Sequence, residues 1–263
     1  MQLDDPDPIP VADADYLPAP MDQPDRRHLI PWEWWDGVGI YLVWVLLSGS
    51  AALAVRGLVG SDNDLATALG FVSVLVLLIG VTLAWLAVRG SARAGAGDAV
   101  RRAFGVKRVT VRDVGLGLGY GVLGFLVIQL GLGTLVQILI QAMGQEAPLV
   151  QQEVQQAVQG TGQTTLLVAL VVVVMAPIGE ELLFRGVLYQ ALAKHLSGWP
   201  AIGISGLAFG VTHGEPFVIV LTFPLGMGLA WTLRRHGTLV VPILAHIVFN
   251  LIGVVLIRGF APT

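Results

Sequence analysis

Residues 64–89 read DLATALGFVSVLVLLIGVTLAWLAVR, with no charged side chain between Asp64 and Arg89. A helix of roughly 20 such residues crosses the hydrocarbon core of a bilayer. The same pattern recurs along the 263-residue chain, and His246 is the one Asp, Glu, Lys, Arg or His residue inside any of these windows. The windows lie between Asp36 and Arg56, Asp64 and Arg89, Asp113 and Glu146, Glu153 and Glu180, His195 and His213, Glu215 and Arg234, and His236 and Arg258. We therefore predict an all-α fold, a polytopic transmembrane helix bundle with seven to eight spans.

The composition supports this fold class. Hydrophobic residues make up 55% of the chain and charged residues 13%, about half the charged fraction of a soluble domain. The absence of cysteine excludes disulfides, thiolate catalysis and Cys-ligated zinc. Because the basic residues form no stripe interleaved with aromatic residues, we expect no nucleic-acid partner.

The chain divides into three predicted regions. Residues 1–36 form an acidic, Pro-rich disordered tail that ends in an interfacial anchor, Pro31-Trp32-Glu33-Trp34-Trp35, although this motif also suits a soluble interaction patch. Residues 37–160 hold the N-terminal transmembrane helices and a basic loop, 89–113. Residues 161–258 form a transmembrane core that contains the buried polar residues.

The distribution of basic residues predicts the orientation of the protein. The loop 89–113 carries seven Arg and Lys residues and is therefore predicted to be cytoplasmic. The Gln-rich stretch 151–163 has no basic residue and is predicted to lie outside. This alternation places the N-terminus in the cytoplasm of a multi-pass cell-membrane protein. It also accounts for the basic loop without a DNA-binding role.

Two features suggest local departures from simple crossings. The fifth apolar segment, 200–212, is short, and the turn His213-Gly214-Glu215-Pro216 follows it directly. Such a turn is tolerated at membrane depth where it is buried in protein or lines a wet cavity. Residues 186–196 are helical in pattern and either continue the fourth helix or lie along the interface.

Glycines open the third span at positions 115, 117, 119 and 121. They form two overlapping pairs with a spacing of four residues. This spacing is typical of helices that pack closely in membranes.

The fourth span ends in Pro177-Ile178-Gly179-Glu180-Glu181-Leu182-Leu183-Phe184-Arg185. Glu181 precedes Arg185 by four residues, which is the favourable order for an ion pair on a helix. Glu180 lies about 100° away around the helix and faces a different neighbour. We therefore predict that Glu181 and Arg185 form a structural pair and that Glu180 is available for chemistry. An ordinary charge cluster at a helix end is the alternative.

Two histidines and an asparagine occur in later apolar segments. His213 ends the fifth segment, and His246 and Asn250 lie one helical turn apart in the last span. A lone intramembrane histidine is more often a packed, hydrogen-bonded residue than a catalyst. Here polar residues from three segments need partners in lipid, which favours their convergence on one cavity.

Together these residues resemble the CAAX protease and bacteriocin-processing family of intramembrane proteases. The family pattern is E-E-x-x-x-R, then F-x-x-x-H, then H-x-x-x-N, which here corresponds to Glu180-Glu181 with Arg185, Phe209 with His213, and His246 with Asn250. The resemblance covers residues 166–257 and implies that residues 161–258 form a CAAX-protease-like catalytic core. It also implies an intramembrane endopeptidase that acts on a membrane-associated peptide or protein.

The resemblance further implies roles for the residues. Glu180 is the expected general base, His213 orients the attacking water or holds its proton, and His246 and Asn250 donate to the scissile carbonyl. Two histidines and a glutamate could also bind zinc with an open position for water. Glu180, His213 and His246 would then be the ligands, but the chain has no H-E-x-x-H motif. We favour hydrolysis without a metal cofactor.

Two other classes of function fit the sequence. In a non-catalytic membrane scaffold or a bacteriocin self-immunity protein of the same fold, the polar cluster would only hold the helices together. A transporter would use intramembrane Glu and His as a proton relay, but the chain has no evident internal repeat of the kind common in such folds.

Overall fold

A computed structural model of the chain describes residues 30–59, 64–91, 104–105, 109–145, 155 and 163–259. The predicted disordered tail, most of the basic loop and most of the Gln-rich stretch lie outside these residues. So does the predicted boundary between the second and third regions, at residue 160. These assignments stay predictions.

The described residues form seven helices and no strand, which confirms the all-α fold. The helices are α1 (Trp34–Val59), α2 (Asp64–Ser91), α3 (Val111–Ala142), α4 (163–195), α5 (Trp199–Val211), α6 (Pro216–His236) and α7 (Val240–Gly259). Six of them are long and apolar enough to cross a membrane, and α5 is a shorter apolar helix. The predicted count of seven to eight crossings is therefore not confirmed. Residues 186–195 continue α4 and do not form a separate helix.

Two helices contain wider, π-helical turns. In α3 these turns cover Phe125–Gly133, and in α4 they cover Val171–Met175 and Leu182–Tyr189. Each π-type turn shifts the side chains that follow it around the helix axis relative to a regular α-helix. Ala176–Glu181, between the two π-helical segments of α4, is regular α-helix and carries both predicted glutamates.

Several helix ends meet at one end of the bundle. Arg89 at the end of α2 pairs with Asp36 at the start of α1, and Lys194 at the end of α4 pairs with Glu33. Gly198, before α5, lies beside the Arg234 guanidinium near the end of α6. The positive-inside rule, applied to Lys194 after the fourth span and to Arg234 and Arg235 after the sixth, also predicts that these ends are cytoplasmic, so the contacts agree with one common side. Which side of the membrane this is stays a prediction.

Glycines allow α3 and α7 to approach closely. A Cβ atom at Gly117 would lie 2.6 Å from the Leu244 Cβ, and one at Gly121 would lie 2.6 Å from the Ala245 carbonyl oxygen. One of the two predicted glycine pairs therefore packs α3 against α7. The other pair, Gly115 and Gly119, is exposed, with nothing within 4 Å of its Cβ positions.

Helices α5 and α6 form an antiparallel pair. A Cβ atom at Gly226 would lie 2.9 Å from the Gly206 Cα. The 13 residues of α5 rise about 20 Å, which is short of a hydrocarbon core about 30 Å thick. The turn that follows α5 contributes Thr212 and His213 to the wall of the cavity described below, and its position at membrane depth stays a prediction.

The predicted aromatic anchor needs a correction. Trp32 is fully buried: its indole Nε1 donates to the Val187 carbonyl at 3.1 Å, and its ring stacks on Phe104. Trp34 and Trp35 are about half exposed and remain available to the membrane interface. Trp32, which precedes the helix, points into the protein, and an anchor role for Trp34 and Trp35 in the first turn of α1 stays a prediction.

Candidate active site

The site is built around the α-helical segment Ala176–Glu181 of α4. Glu181 and Arg185 are both fully buried, and the Arg185 Nη1 donates to the Glu181 Oε1 at 3.0 Å. The Arg185 Nη2 donates to the Gly226 carbonyl of α6 at 2.9 Å. The ion pair expected from the spacing is thus present, and it also ties α4 to α6.

Glu180 faces a different direction from Glu181. Its side chain is 22% exposed and lines a cavity, whereas that of Glu181 is inaccessible. The Glu180 Oε2 lies 3.8 Å from the His246 Nε2, which is an ion-pair distance but longer than a hydrogen bond. The two neighbouring glutamates are therefore separated into a buried partner and a cavity-facing group, as their helical spacing predicts.

His246 connects the two glutamates. Its Nδ1 lies 3.0 Å from the Glu181 Oε1, the same oxygen that accepts from Arg185. Because a carboxylate only accepts hydrogen bonds, the Nδ1–H of His246 is the donor. This bond holds the imidazole in place from behind and directs Nε2 toward Glu180.

Asn250 lies one turn after His246 on α7, and both side chains line the cavity. The Asn250 Nδ2 donates to the Val172 carbonyl at 3.0 Å. Val172 belongs to the first π-helical segment of α4, which precedes the glutamates. The bond fixes the orientation of the amide and leaves the second Nδ2 hydrogen for another acceptor.

His213 and Phe209 also line the cavity. The His213 Nδ1 lies 2.9 Å from the Phe209 carbonyl oxygen, so Nδ1 carries the hydrogen and Nε2 is an acceptor in the neutral ring. The Phe209 ring is buried, with its centroid 4.8 Å from that of His213 and 5.7 Å from that of His246. The guanidinium carbon of Arg185 lies 4.4 Å from the same centroid.

Phe209 therefore has a structural role that the sequence alone did not reveal. It was noted only as the first residue of F-x-x-x-H. Its face contacts a buried cation, a geometry that stabilises an arginine removed from water. A phenylalanine four residues before an intramembrane histidine, on the same helical face, was the signal that could have suggested this contact.

The cavity has a volume of about 580 Å³, and all seven described helices contribute to its wall. Glu180, His213, His246 and Asn250 all line it, so the four predicted site residues are brought together. Most of the other lining residues are apolar. Two polar-tipped residues of the N-terminal half, Trp44 and Gln129, also line the cavity and were not expected from the sequence.

The three side chains of the alternative zinc site line one cavity but are not grouped around a common point. No group of three or more His, Asp or Glu side chains in the described part of the chain is close enough to hold a metal ion. The Nδ1 atoms of His246 and His213 are bonded to Glu181 and to a main-chain carbonyl, so a metal would have to bind at the Nε2 atoms, as it does in most zinc sites. The choice between the two mechanisms therefore rests on the chelation experiment described below.

Comparisons with known proteins agree with the three motifs. Residues 162–252 match the family "Type II CAAX prenyl endopeptidase Rce1-like". The protein named "Putative membrane peptidase YdiL" from Bacillus subtilis is 26% identical over 146 residues, which cover 55% of this chain and 58% of that protein. No solved structure gives a significant match. The matched residues contain Glu180, Glu181, Arg185, His213, His246 and Asn250, so the part of the chain that holds the site is similar to the CAAX prenyl endopeptidase-like family.

Proposed function

We propose that this protein is an intramembrane endopeptidase that hydrolyses a peptide bond in a membrane-associated peptide or protein, with Glu180 as the general base. One observation carries the proposal. A carboxylate, two imidazoles and a carboxamide from separate parts of the chain line one largely apolar cavity within the bundle. Its membrane is the cell membrane, and its N-terminus is cytoplasmic.

Glu180 is the carboxylate that a water molecule in the cavity can reach. It takes a proton from this water as the water oxygen bonds to the scissile carbonyl carbon. Glu180 then gives the proton to the amide nitrogen as the C–N bond breaks. The products are a carboxylic acid and an amine, and the glutamate returns to its starting state.

His246 and Asn250 supply hydrogen bonds to the negative charge that develops on the carbonyl oxygen. The His246 Nδ1–H is bonded to Glu181, so Nε2 donates only when the ring is an imidazolium. Two carboxylates, opposite in charge to the imidazolium, lie on its two sides. The Glu180 Oε2 is 3.8 Å from Nε2, and the Glu181 Oε1 is 3.0 Å from Nδ1. Asn250 donates through its second Nδ2 hydrogen.

His213 orients the attacking water. With its Nδ1–H bonded to the Phe209 carbonyl, the neutral ring accepts a hydrogen bond at Nε2. A water held between this nitrogen and the Glu180 carboxylate has its proton directed to Glu180 and a lone pair left for attack. His213 is therefore a positioning group for the nucleophile.

The test is peptide cleavage by the full chain in proteoliposomes. The probe is a pool of quenched fluorescent peptides with apolar flanks. We expect Glu180→Gln to lower kcat/KM by about 10²–10⁴-fold, because the amide cannot accept the proton. Asp113→Asn makes the same chemical change at the start of α3, away from the cavity, and should retain activity.

Two outcomes would contradict this proposal. Equal cleavage by the wild type and Glu180→Gln would show that Glu180 is not the general base. Loss of cleavage on chelation, restored by added zinc, would require a metal that the proposed steps do not use. A scaffold or immunity protein is the alternative, and it would keep its cellular phenotype in the Glu180→Gln variant.

A further inference from the structure

The polar groups on the cavity wall are nearly all engaged within the protein. The Trp44 indole donates to the Val74 carbonyl at 2.7 Å. The Thr212 and Thr222 hydroxyls donate to carbonyls of their own segments, Phe209 at 2.7 Å and Val218 at 2.9 Å. The family-motif residues make the contacts described above. The Trp44, Thr212 and Thr222 side chains therefore have no donor hydrogen left for a ligand, and the family-motif residues already have roles in the proposed reaction.

Gln129 is different. Its side chain lines the cavity and is half-buried, and it makes no hydrogen bond within the described part of the chain. It lies near the middle of α3, at the centre of the π-helical segment Phe125–Gly133. Because α3 is long enough to cross a membrane, an unpaired amide near its middle is costly unless it bonds to a molecule inside the cavity, either water or a ligand. Its placement calls for a partner that enters the cavity.

We propose that Gln129 binds the main chain of the peptide substrate, through its amide, in the cavity that also holds Glu180. This inference rests on the proposed peptidase function and adds a substrate-binding residue to it. The residue lies outside the segment that matches the family, residues 162–252.

The chemistry of the two partners is complementary. A carboxamide presents two N–H donors and a carbonyl acceptor, and an extended peptide presents an N–H and a C=O from its backbone. In the apolar cavity a substrate strand loses its water partners, so its backbone groups need hydrogen bonds from the protein. Gln129 satisfies one donor and one acceptor at once. It does so without a charge and without selecting for a side chain.

The first experiment measures binding separately from cleavage. In the Glu180→Gln background, the affinity for one fluorescent-labelled apolar decapeptide is compared with and without Gln129→Met, a replacement of similar length without hydrogen-bonding groups. We expect Gln129→Met to weaken binding about tenfold, the value of one to two net hydrogen bonds. Gln141→Met, at the exposed end of the same helix and outside the cavity, is the matched control and should bind as the parent does.

A set of ester analogues then identifies the backbone contact. Each analogue replaces one peptide N–H of the decapeptide by an ester oxygen. At one position the ester should weaken binding to the parent but not to Gln129→Met, because the lost donor has no acceptor left in the variant. In the catalytically intact chain, Gln129→Met should raise KM about tenfold and change kcat by less than about twofold.

The outcomes separate the two proposals. Equal affinity of Gln129→Met and the parent, or ester penalties that are unchanged by the variant, would overturn the role of Gln129 while leaving the peptidase proposal intact. If the wild-type chain cleaved no peptide of the pool and the Glu180→Gln parent bound none, the peptidase proposal and this inference would be overturned together. A fall in kcat alone would also contradict a binding role.

Discussion

Two of the charge groups that hold the helices together differ in their access to water. In the centre of the bundle, Glu181, Arg185 and His246 form a network in which both members of the ion pair are inaccessible. At the end of the bundle, Glu33 pairs with Lys194 and His195, and the Glu33 side chain is 28% exposed. The same chemical groups therefore operate under very different electrostatic screening.

The central network is costly as a source of stability. Removing two charges from water costs several kcal/mol per ion, and the Coulomb attraction offsets this only when every polar atom is satisfied. Here the Glu181 Oε2 and the Arg185 Nε have no hydrogen-bond partner among the described residues. The network is better explained by what it positions, because the oxygen that accepts from Arg185 also holds the His246 ring.

The largest expected effect is the loss of one member of the central pair. Arg185→Met leaves the Glu181 carboxylate buried without its cation and removes the contact with Phe209 and the bond to Gly226. We expect the free energy of unfolding to fall by about 3–5 kcal/mol. Lys194→Met is the matched change at the end of the bundle and should cost less than about 1 kcal/mol. Reversible unfolding in mixed detergent micelles measures both values, and similar losses would contradict the distinction between the two groups.

A double variant separates stability from positioning. Glu181→Leu with Arg185→Leu removes both buried charges, so it should recover most of the stability that the single Arg185 variant loses. His246 would then have no acceptor at Nδ1, and we expect peptide cleavage to fall by about 10²-fold or more because the oxyanion donor is misplaced. Unfolding and cleavage are measured on the same preparation. Full activity in the double variant would contradict a positioning role for the network.

The sequence predicted the elements of the fold that depend on one-dimensional patterns. Charge-free windows indicated the long helices, and the spacing of Glu180, Glu181 and Arg185 indicated which acid is paired and which faces another group. His246 and Asn250 were predicted to share a side of one helix, and both line the cavity. These predictions succeeded because charges are excluded from lipid and because the helical repeat fixes side-chain direction.

Other features depend on contacts between distant segments. In an apolar helix, hydropathy does not distinguish the lipid-facing side from the protein-facing side, so Gln129 on the cavity wall was not anticipated. Trp32 was assigned to the membrane interface, but Val187 and Phe104 bury it. The π-helical segments could not be predicted either, because they share no proline or charge pattern. They alter the direction of the side chains that follow them.

The smallest expected effect tests the end of the bundle by its pH dependence. Burial raises the pKa of Glu33, but hydrogen bonds and charges from Lys194 and His195 outweigh it, so the pKa lies below the ordinary value of 4.5. The stability that this carboxylate contributes is therefore complete above about pH 4.5 and is lost as the pH falls through the lower folded-state value.

We expect Glu33→Gln to cost about 0.5 kcal/mol at pH 7 and low salt, and less at high salt because this cluster is partly exposed. At a pH below the folded-state pKa of Glu33, the variant and the wild type should become equally stable, since the wild-type side chain is then neutral as well. Unfolding curves between pH 7 and pH 3, with the Arg185→Met variant measured in parallel, check this convergence. A difference that persists in acid would mean that Glu33 acts through packing and not through its charge. The cluster at the end of the bundle could then no longer be compared with the central network as a group of charges.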